Sequence, residues 1–483
     1  MSAKRDWLMV FVAGACEIAC NRLLNSEIIA PLSMESPALR DIVYIAAGIL
    51  PLLLILAAAQ RSDIRQLGAR ATQIAPLLIV SGALLTGVWS IAASRPALVA
   101  GFACWELGHL WIRALFLLAL CQMKSIRLVA LCLCASCLVG SLGQWAFFLL
   151  PHALRLIMCA LLPCIALAAS YPLARQNLLA LSQAGGLKAI ECASPSSFVS
   201  PWNPAFCCLL VFNLVFGFTL ALNCISGVPV DTSLMGMLGA VLVGIFILVS
   251  RNRNDFADPL AILAALLVVT GLLCAVISLF LPLGATSNFL LRISDSCLTI
   301  ISRLVIVGIG SRNQLGALRV IAIACIFSSS GTLAGTMLGH QANALMEPNL
   351  ELAAAFLASL LISFVALAFL WLSKFSFGAV IFGVEPVVAA VPAAEPEEIS
   401  TSIEDLCQHL GERCGLTKRE TELCALLARG RNGRAISEQL TLSYNTVKTH
   451  VKHIYMKLDV HTQQELIDLV ELEREAAVSR ASS

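Results

Sequence analysis

The sequence predicts an all-α protein in two parts, a polytopic membrane helix bundle followed by a small cytoplasmic four-helix domain. Three observations carry this. The 483-residue chain is 59% hydrophobic and 13% charged, with a mean hydropathy of +0.86, well above the roughly half-apolar composition of soluble domains. Its apolar residues gather into runs of about 20, the length a helix needs to cross a bilayer. Beyond Lys374 those runs stop, and charged sequence with helical periodicity follows.

Twelve apolar runs are legible, near residues 7–24, 42–60, 73–93, 97–121, 126–150, 154–173, 205–225, 232–250, 259–281, 288–310, 318–339 and 351–373. The first, in "MSAKRDWLMVFVAGACEIACNRLL", resembles a signal peptide. The many spans behind it make it a first membrane helix instead. Loop charges then set the orientation. Lys4, Arg5, Arg61, Arg65, Arg70, Lys124, Arg127, Arg175, Lys188, Arg251, Arg253, Arg312, Arg319 and Lys374 fall in one set of loops, and only Arg40, Arg95 and Arg155 in the other. Basic residues stay on the cytoplasmic side, so a multi-pass protein of the inner (cytoplasmic) membrane is expected, with both termini in the cytoplasm.

The 19 cysteines are scattered, mostly within apolar runs such as "LCLCASCL". They read as small buried side chains rather than a disulfide framework. Cys407, Cys414 and Cys424 lack the C-x2-C spacing of a zinc site. No nucleotide loop, metal cluster or Ser/His/Asp set stands out, so neither catalysis nor a metal or other cofactor is expected.

Charges inside apolar spans are costly and face protein or a cavity. Here they are Glu17, Arg22, Glu106, His109, Arg113, Arg292, Asp295 and Arg303. Glu106 and Arg113 are seven apart and share a helix face. Arg292 and Asp295 are three apart and within pairing reach. Two readings stay open for Glu106, Arg113, Asp295 and Arg303: a ligand pocket between two halves of the bundle, or structural ion pairs. Glu17 and Arg22 read as lying near the ends of the first span. His109 and His340 read as packed polar residues.

The order of six spans, a longer loop at 174–204 and six more spans resembles the 6+6 layout of the major facilitator superfamily. Span four has "WELGHLWIR" and span ten "RISDSCLTIISR", each an acid followed by an arginine. Span five has "CLVGSLGQ" and span eleven "GTLAGTMLGH", both dense in small residues. Such echoes fit parallel repeats about an axis along the membrane normal, and small residues let helices pack closely. The family's basic loop motif is only partly matched by "QRSDIRQLGAR".

The stretch "GVEPVVAAVPAAEPEEISTS" fits no helix period and reads as a tether. The expected domains are therefore 1–373, a membrane domain and candidate sensor; 374–410, a flexible linker; and 411–483, the cytoplasmic domain. Between Arg413 and Lys457 there are nine Lys and Arg against three Glu, a basic patch of the kind that meets nucleic acid. Thr417 and Glu420 form a capping box opening the first helix, which Gly430 ends. A short second helix spans about Arg434 to Leu440, and "TLS" makes the turn. Ser443 caps a third helix over about Tyr444 to Leu458. Val447, Val451, Ile454 and Leu458 form its buried stripe, leaving Asn445, Lys448, Thr449 and Lys452 on the opposite face. A fourth helix covers about Thr462 to Glu475.

The stretch Leu416 to about Val470, above all "TVKTHVKHIYMKL", resembles the LuxR-type helix-turn-helix domain. That resemblance implies a domain that binds promoter double-stranded DNA and regulates transcription, as a homodimer through the fourth helix. Positions matching Lys448, Thr449 and Lys452 would contact bases; those matching Ser443, Thr446 and His450 would lie near the DNA backbone. Ala435–Ser437 and Gln463 depart from the family pattern. Membrane spans, not a receiver domain, precede the domain. The expected protein is thus a membrane-anchored one-component regulator, with the lipid bilayer, DNA and RNA polymerase as partners and an unidentified small-molecule effector. The alternative is a transporter that also regulates transcription.

Overall fold

A computed structural model describes residues 2–59, 64–123, 125–183, 203–222, 233–250, 257–281, 284–312, 316–346, 349–370, 376, 403–431, 436–437, 440, 443–460, 462–463, 465–470 and 473. They fall into two compact units that divide between residues 387 and 388. No strand occurs among the described residues.

The first unit is a helix bundle: α1 (Lys4–Glu35), α2 (Pro37–Ala57), α3 (Gln66–Ala92), α4 (Arg95–Cys121), α5 (Ile126–Phe148), α6 (His152–Leu179), α7 (Pro204–Leu222), α8 (Ser233–Val249), α9 (Ala257–Ile277), α10 (Thr286–Arg312), α11 (Ala317–Met346) and α12 (Leu350–Leu367). Eleven of these are long and apolar enough to cross a membrane. Against the twelve expected spans, the run at 232–250 forms the shorter α8, whose neighbours 223–232 lie outside the described residues.

Local chemistry sets the breaks. Ser36 and Ser125 accept the backbone N–H groups of Leu39 and Leu128 and cap the helices that follow, satisfying donors that a helix start leaves open. Two helices carry single π-turns, Asn25–Ile29 in α1 and Ile45–Ile49 in α2. Such turns recur at functional sites.

Helices α4 and α10 are the bundle's centre. Each buries 83% of its apolar window, against 11% for α12, and the two pack on each other. The packing has a regularity of six: α1 on α5 is matched by α7 on α11, α3 on α4 by α9 on α10, α3 on α6 by α9 on α12, and α5 on α8 by α11 on α2. Small residues make the closest of these contacts. A Cβ on Gly335 of α11 would lie 2.0 Å from the Leu214 carbonyl oxygen of α7, and one on Gly140 of α5 would lie 2.8 Å from the Ala15 carbonyl oxygen of α1. The "GTLAGTMLGH" and "CLVGSLGQ" stretches are therefore where backbones meet.

Ion pairs gather at one end of the bundle. Arg95 meets Glu35 at 2.5 Å, Arg155 meets Glu27 at 2.9 Å, and Arg40 is paired with Asp41. All three arginines of the sparsely basic loop set thus have carboxylate partners. Elsewhere Arg127, at the start of α5, donates to the Ile247 and Leu248 carbonyls that end α8, both at 3.1 Å.

The second unit contains α13 (Ile403–Cys414), α14 (Lys418–Ala428) and α15 (Tyr444–Leu458). Its core joins Leu406, Cys407, Leu410, Leu423, Leu427, Ile436, Val447, Ile454, Leu466 and Val470. Residues 403–410, read as the end of the tether, are helical here because Leu406, Cys407 and Leu410 bury one face of α13. Residues 377–400 of the expected linker lie outside the described residues, as do most of 432–442, where the second helix and turn are expected.

Gly335→Val is expected to abolish folding of the bundle, since overpacking a well-packed contact costs about 1–3 kcal/mol or more and the obstacle is backbone. Gly244→Val, whose Cβ would meet only Cys134 Cβ at 3.7 Å, should be tolerated. Yield and monodispersity of each variant in detergent check this.

Candidate functional site

In the second unit, α15 is held from one side and bare on the other. Val447 and Ile454 are fully buried, Leu458 nearly so, and Val451 is half-buried. Ser443, Asn445, Thr446, Lys448, Thr449 and Lys452 are exposed, and His450 is half-buried with Nδ1 enclosed and unpartnered. The Ser443 hydroxyl accepts the Thr446 N–H at 3.1 Å and lies 2.7 Å from the Thr446 hydroxyl, fixing the helix start. The C-terminal cap, Asp459, is left-handed at φ 52°.

The support comes from α14. Thr417 and Glu420 make the capping box reciprocally: the Thr417 N–H donates to Glu420 Oε2 at 2.8 Å, and the Glu420 N–H donates to Thr417 Oγ1 at 3.3 Å. The same Oε2 accepts from Lys457 Nζ of α15 at 2.7 Å, and Lys457 also donates to the Gly415 carbonyl at 3.0 Å. Lys457, though exposed, is thus a fastening rather than part of the bare face. Arg419 reaches the Leu440 carbonyl at 3.2 Å. At its other end α14 closes through Gly430, left-handed at φ 76°, with the Arg431 N–H on the Leu426 carbonyl at 3.0 Å. Cys407 and Cys424 share a hydrogen bond that, with burial, pushes the Cys424 thiol far above its ordinary range. Both are structural and inert.

The membrane unit holds a cavity of about 960 Å³ between its two sets of helices. Five arginines (22, 40, 113, 292, 303) and four carboxylates (Glu17, Asp41, Glu106, Asp295) line it, with Asn21, Tyr44, Asn213, Thr299 and Ser329 among the polar residues. Phe102, Phe116, Phe216 and Trp145 give it apolar walls.

Three pairs account for most of this charge. Glu17, buried at mid-helix, takes a hydrogen bond on Oε2 from His109 Nε2 at 2.6 Å and one on Oε1 from Asn21 at 2.9 Å; Arg113 Nε lies 3.5 Å from the same Oε1. Arg113 also donates to His109 Nδ1 at 3.1 Å, which leaves the ring proton on Nε2, facing Glu17. Arg40 pairs with Asp41 and reaches Ser33 and His340 at 3.2 and 3.3 Å. Arg292 lies 3.5 Å from Asp295, whose other oxygen has no partner.

The structure corrects the expectation for Glu17. It is not near a helix end, because α1 runs on through the π-turn to Glu35. Asn25, Ser26 and Glu27 suggest an ending in sequence, but Asn25 and Ser26 face the cavity and Glu27 meets Arg155. Arg113 pairs with Glu17, not with Glu106, seven residues away on its own helix. Glu106 and Arg303 line the cavity with no hydrogen bond or ion pair to any described residue.

Comparison with known proteins separates the two units. Residues 415–470 match the family described as bacterial regulatory proteins, luxR family. They form a luxR-family helix-turn-helix regulatory domain. The chain is 35% identical over 80 residues to the Transcriptional regulatory protein LiaR of Bacillus subtilis (strain 168), covering 15% of this chain and 38% of that one. It is 48% identical over 52 residues to the response regulatory protein YgeK of Escherichia coli (strain K12), covering 11% and 35%. It is 42% identical over 53 residues to the Oxygen regulatory protein NreC of Staphylococcus haemolyticus (strain JCSC1435), covering 11% and 24%. The chain thus spans between about a quarter and two-fifths of the length of these relatives. In structure it is similar to the human organic anion transporter MFSD10 (TETRAN), with a TM-score of 0.50 at 14% identity, covering 77% of this chain and all of that one. The membrane unit therefore has a major facilitator fold.

Helix α13 lies before the matched stretch of the luxR-family domain, yet its Arg413 meets Glu473 at 3.1 Å and its His409 meets the same carboxylate at 3.5 Å. Gln463, which departs from the family pattern, donates to the Leu427 and Arg431 carbonyls at 2.9 and 3.1 Å. It closes the end of α14 in place of an ionic contact. Neither feature has a periodicity or motif that marks it in sequence.

The Lys457 ammonium, then the Thr417 N–H, hold the Glu420 carboxyl down at about 2, against an ordinary 4.5. A carboxylate depressed in the folded state adds stability above its unfolded value and loses it as pH falls through the folded one. Glu420→Gln should cost the luxR-family domain about 1–3 kcal/mol at neutral pH, the range for a hydrogen bond to a charged group. The gap to wild type should close between about pH 4.5 and 2. Denaturant unfolding across that pH range checks it.

Proposed function

We propose that this protein is a membrane-anchored one-component transcription regulator, controlled by a small molecule or membrane state sensed in its membrane unit. The observation that carries the reading is the bare face of α15, within a luxR-family domain, on a chain whose other unit is a helix bundle around a charged cavity. Lys448 and Lys452 are one helical turn apart, spaced for guanine O6 and N7 in the major groove. Thr449 lies between them, and Asn445 one turn before Thr449. Ser443, Thr446 and His450 sit where the helix start would meet phosphates. A homodimer through the fourth helix would place two such faces on two half-sites, where contact with RNA polymerase becomes available. The proposed organisation is a sensor at 1–373, a tether, and the regulatory domain, held in the inner membrane with both termini cytoplasmic.

The cavity is the natural input. Both halves of the bundle contribute to its wall, so a ligand that fits one arrangement of the halves better than another would shift their balance. The likeness in fold to a transporter supports a second reading, in which the membrane unit also moves its ligand. Dependence of labelled-substrate uptake on Glu106 or Asp295 would favour that reading.

Replacing both Lys448 and Lys452 by Ala should abolish specific binding of the 400–483 fragment to an operator selected from random DNA, at about 1–3 kcal/mol for each lost contact. Persistent specific binding would remove the assigned reading face. A reporter fused after Lys374 should be cytoplasmic. Thr299→Trp, which fills the cavity, should change target transcription while leaving the amount of full-length protein in the membrane unchanged; unchanged transcription would remove the cavity from the sensing role.

A further inference from the structure

Arg40, Arg113 and Arg292 pair with Asp41, Glu17 and Asp295 in the cavity, and Arg22 is engaged as well. What remains is uneven in place and sign. On α4, Glu106 is buried, lines the cavity, and makes no hydrogen bond or ion pair with a described residue. Its Oε1 lies where the π-turn of α2 brings Gly48 close: a Cβ there would sit 3.1 Å away. On α10, Arg303 lines the cavity with Nη1 enclosed and unpartnered. These two helices are equivalent under the packing regularity of six, so the bundle offers a carboxylate from one half and a guanidinium from the other, neither held in a close pair: Arg113 acts on Glu106, and Arg303 on Glu17, only through space. Glu106 is buried and Arg303 half-buried; a charge withdrawn from water with its hydrogen bonds unmade is unfavourable, and each gains from an opposite charge entering the cavity at hydrogen-bond distance.

We infer that the cavity takes a zwitterion, a small molecule with a carboxylate for Arg303, a protonated amine for Glu106, and an apolar body. The inference rests on the reading of the cavity as the sensing site and names what that site selects. The aromatic walls suit an apolar body, and the volume exceeds that of a single amino acid, so peptide-like or aryl-substituted amino acids fit better than glycine-sized ones. A ligand with one charge would leave the other protein group unrelieved, which is how the cavity rejects simple anions and simple amines.

The test uses the full chain in lipid nanodiscs and three zwitterions of increasing charge spacing: phenylalanine, Phe-Phe and Phe-Phe-Phe. Each is compared with its C-terminal amide, which lacks the anion, and its N-acetyl form, which lacks the cation. Binding is read from tryptophan fluorescence, with Trp145 in the cavity wall, and from thermal shift. At least one zwitterion should bind tenfold or more tighter than both of its single-charge derivatives. Glu106→Gln should remove the preference over the N-acetyl form alone, and Arg303→Gln the preference over the amide alone. Equal binding of all three forms, or no binding by any zwitterion, overturns the inference. If Thr299→Trp still alters transcription in that case, the sensing site stands and only its ligand class falls.

Discussion

The cost of burying charge where water is absent organises the membrane unit. On insertion scales a lone charge at mid-bilayer is unfavourable by about 2.5–3.5 kcal/mol, so most of the charges that line the cavity are found against an opposite charge. Glu17 is the clearest case, taking His109, Arg113 and Asn21 at once and tying α1 to α4. The arginines at one end of the bundle follow the same rule, with Glu27, Glu35 and Asp41 as partners. Glycine contacts supply the other half of the arrangement: they bring backbones close enough for short side chains to meet across helices. Against that background Glu106 and Arg303, which have no close partner, are exceptions, and exceptions to a costly rule are where function is found.

The regulatory domain obeys a different constraint. Its apolar core is joined by a few polar fastenings placed at helix ends. Glu420 closes the start of α14 and anchors the end of α15 with the same oxygen. Arg419 and Gln463 donate to the Leu440 and Leu427 backbone carbonyls. None of these touches the exposed face of α15.

Much of this was legible in the sequence because it is periodic or local. Apolar runs of membrane length mark the helices, and T-x-x-E marks the start of α14. The four-residue and three-residue spacing of Val447, Val451 and Ile454 gives the buried stripe of α15. The pair Arg292–Asp295 is local and was readable too. What escaped is what depends on residues distant in sequence. Glu17 and His109 are 92 positions apart, and no spacing rule joins them. The true length of α1 was hidden because Asn25, Ser26 and Glu27 are polar for reasons that lie on other helices. Helix α13 was hidden by the prolines and acids just before it.

The double use of Glu420 has a consequence for how such a protein changes over generations. The angle of α15 is set entirely from its inner side, by the Glu420–Lys457 link and the buried valine and isoleucine. Beyond the Ser443 cap at its start, its outer residues Lys448 and Lys452 make no hydrogen bond or ion pair with a described residue. What the helix displays and how the helix is held are therefore separately heritable. New outer residues are open to trial without the scaffold being rebuilt, and a drifting lineage is able to acquire new target sites one exposed position at a time.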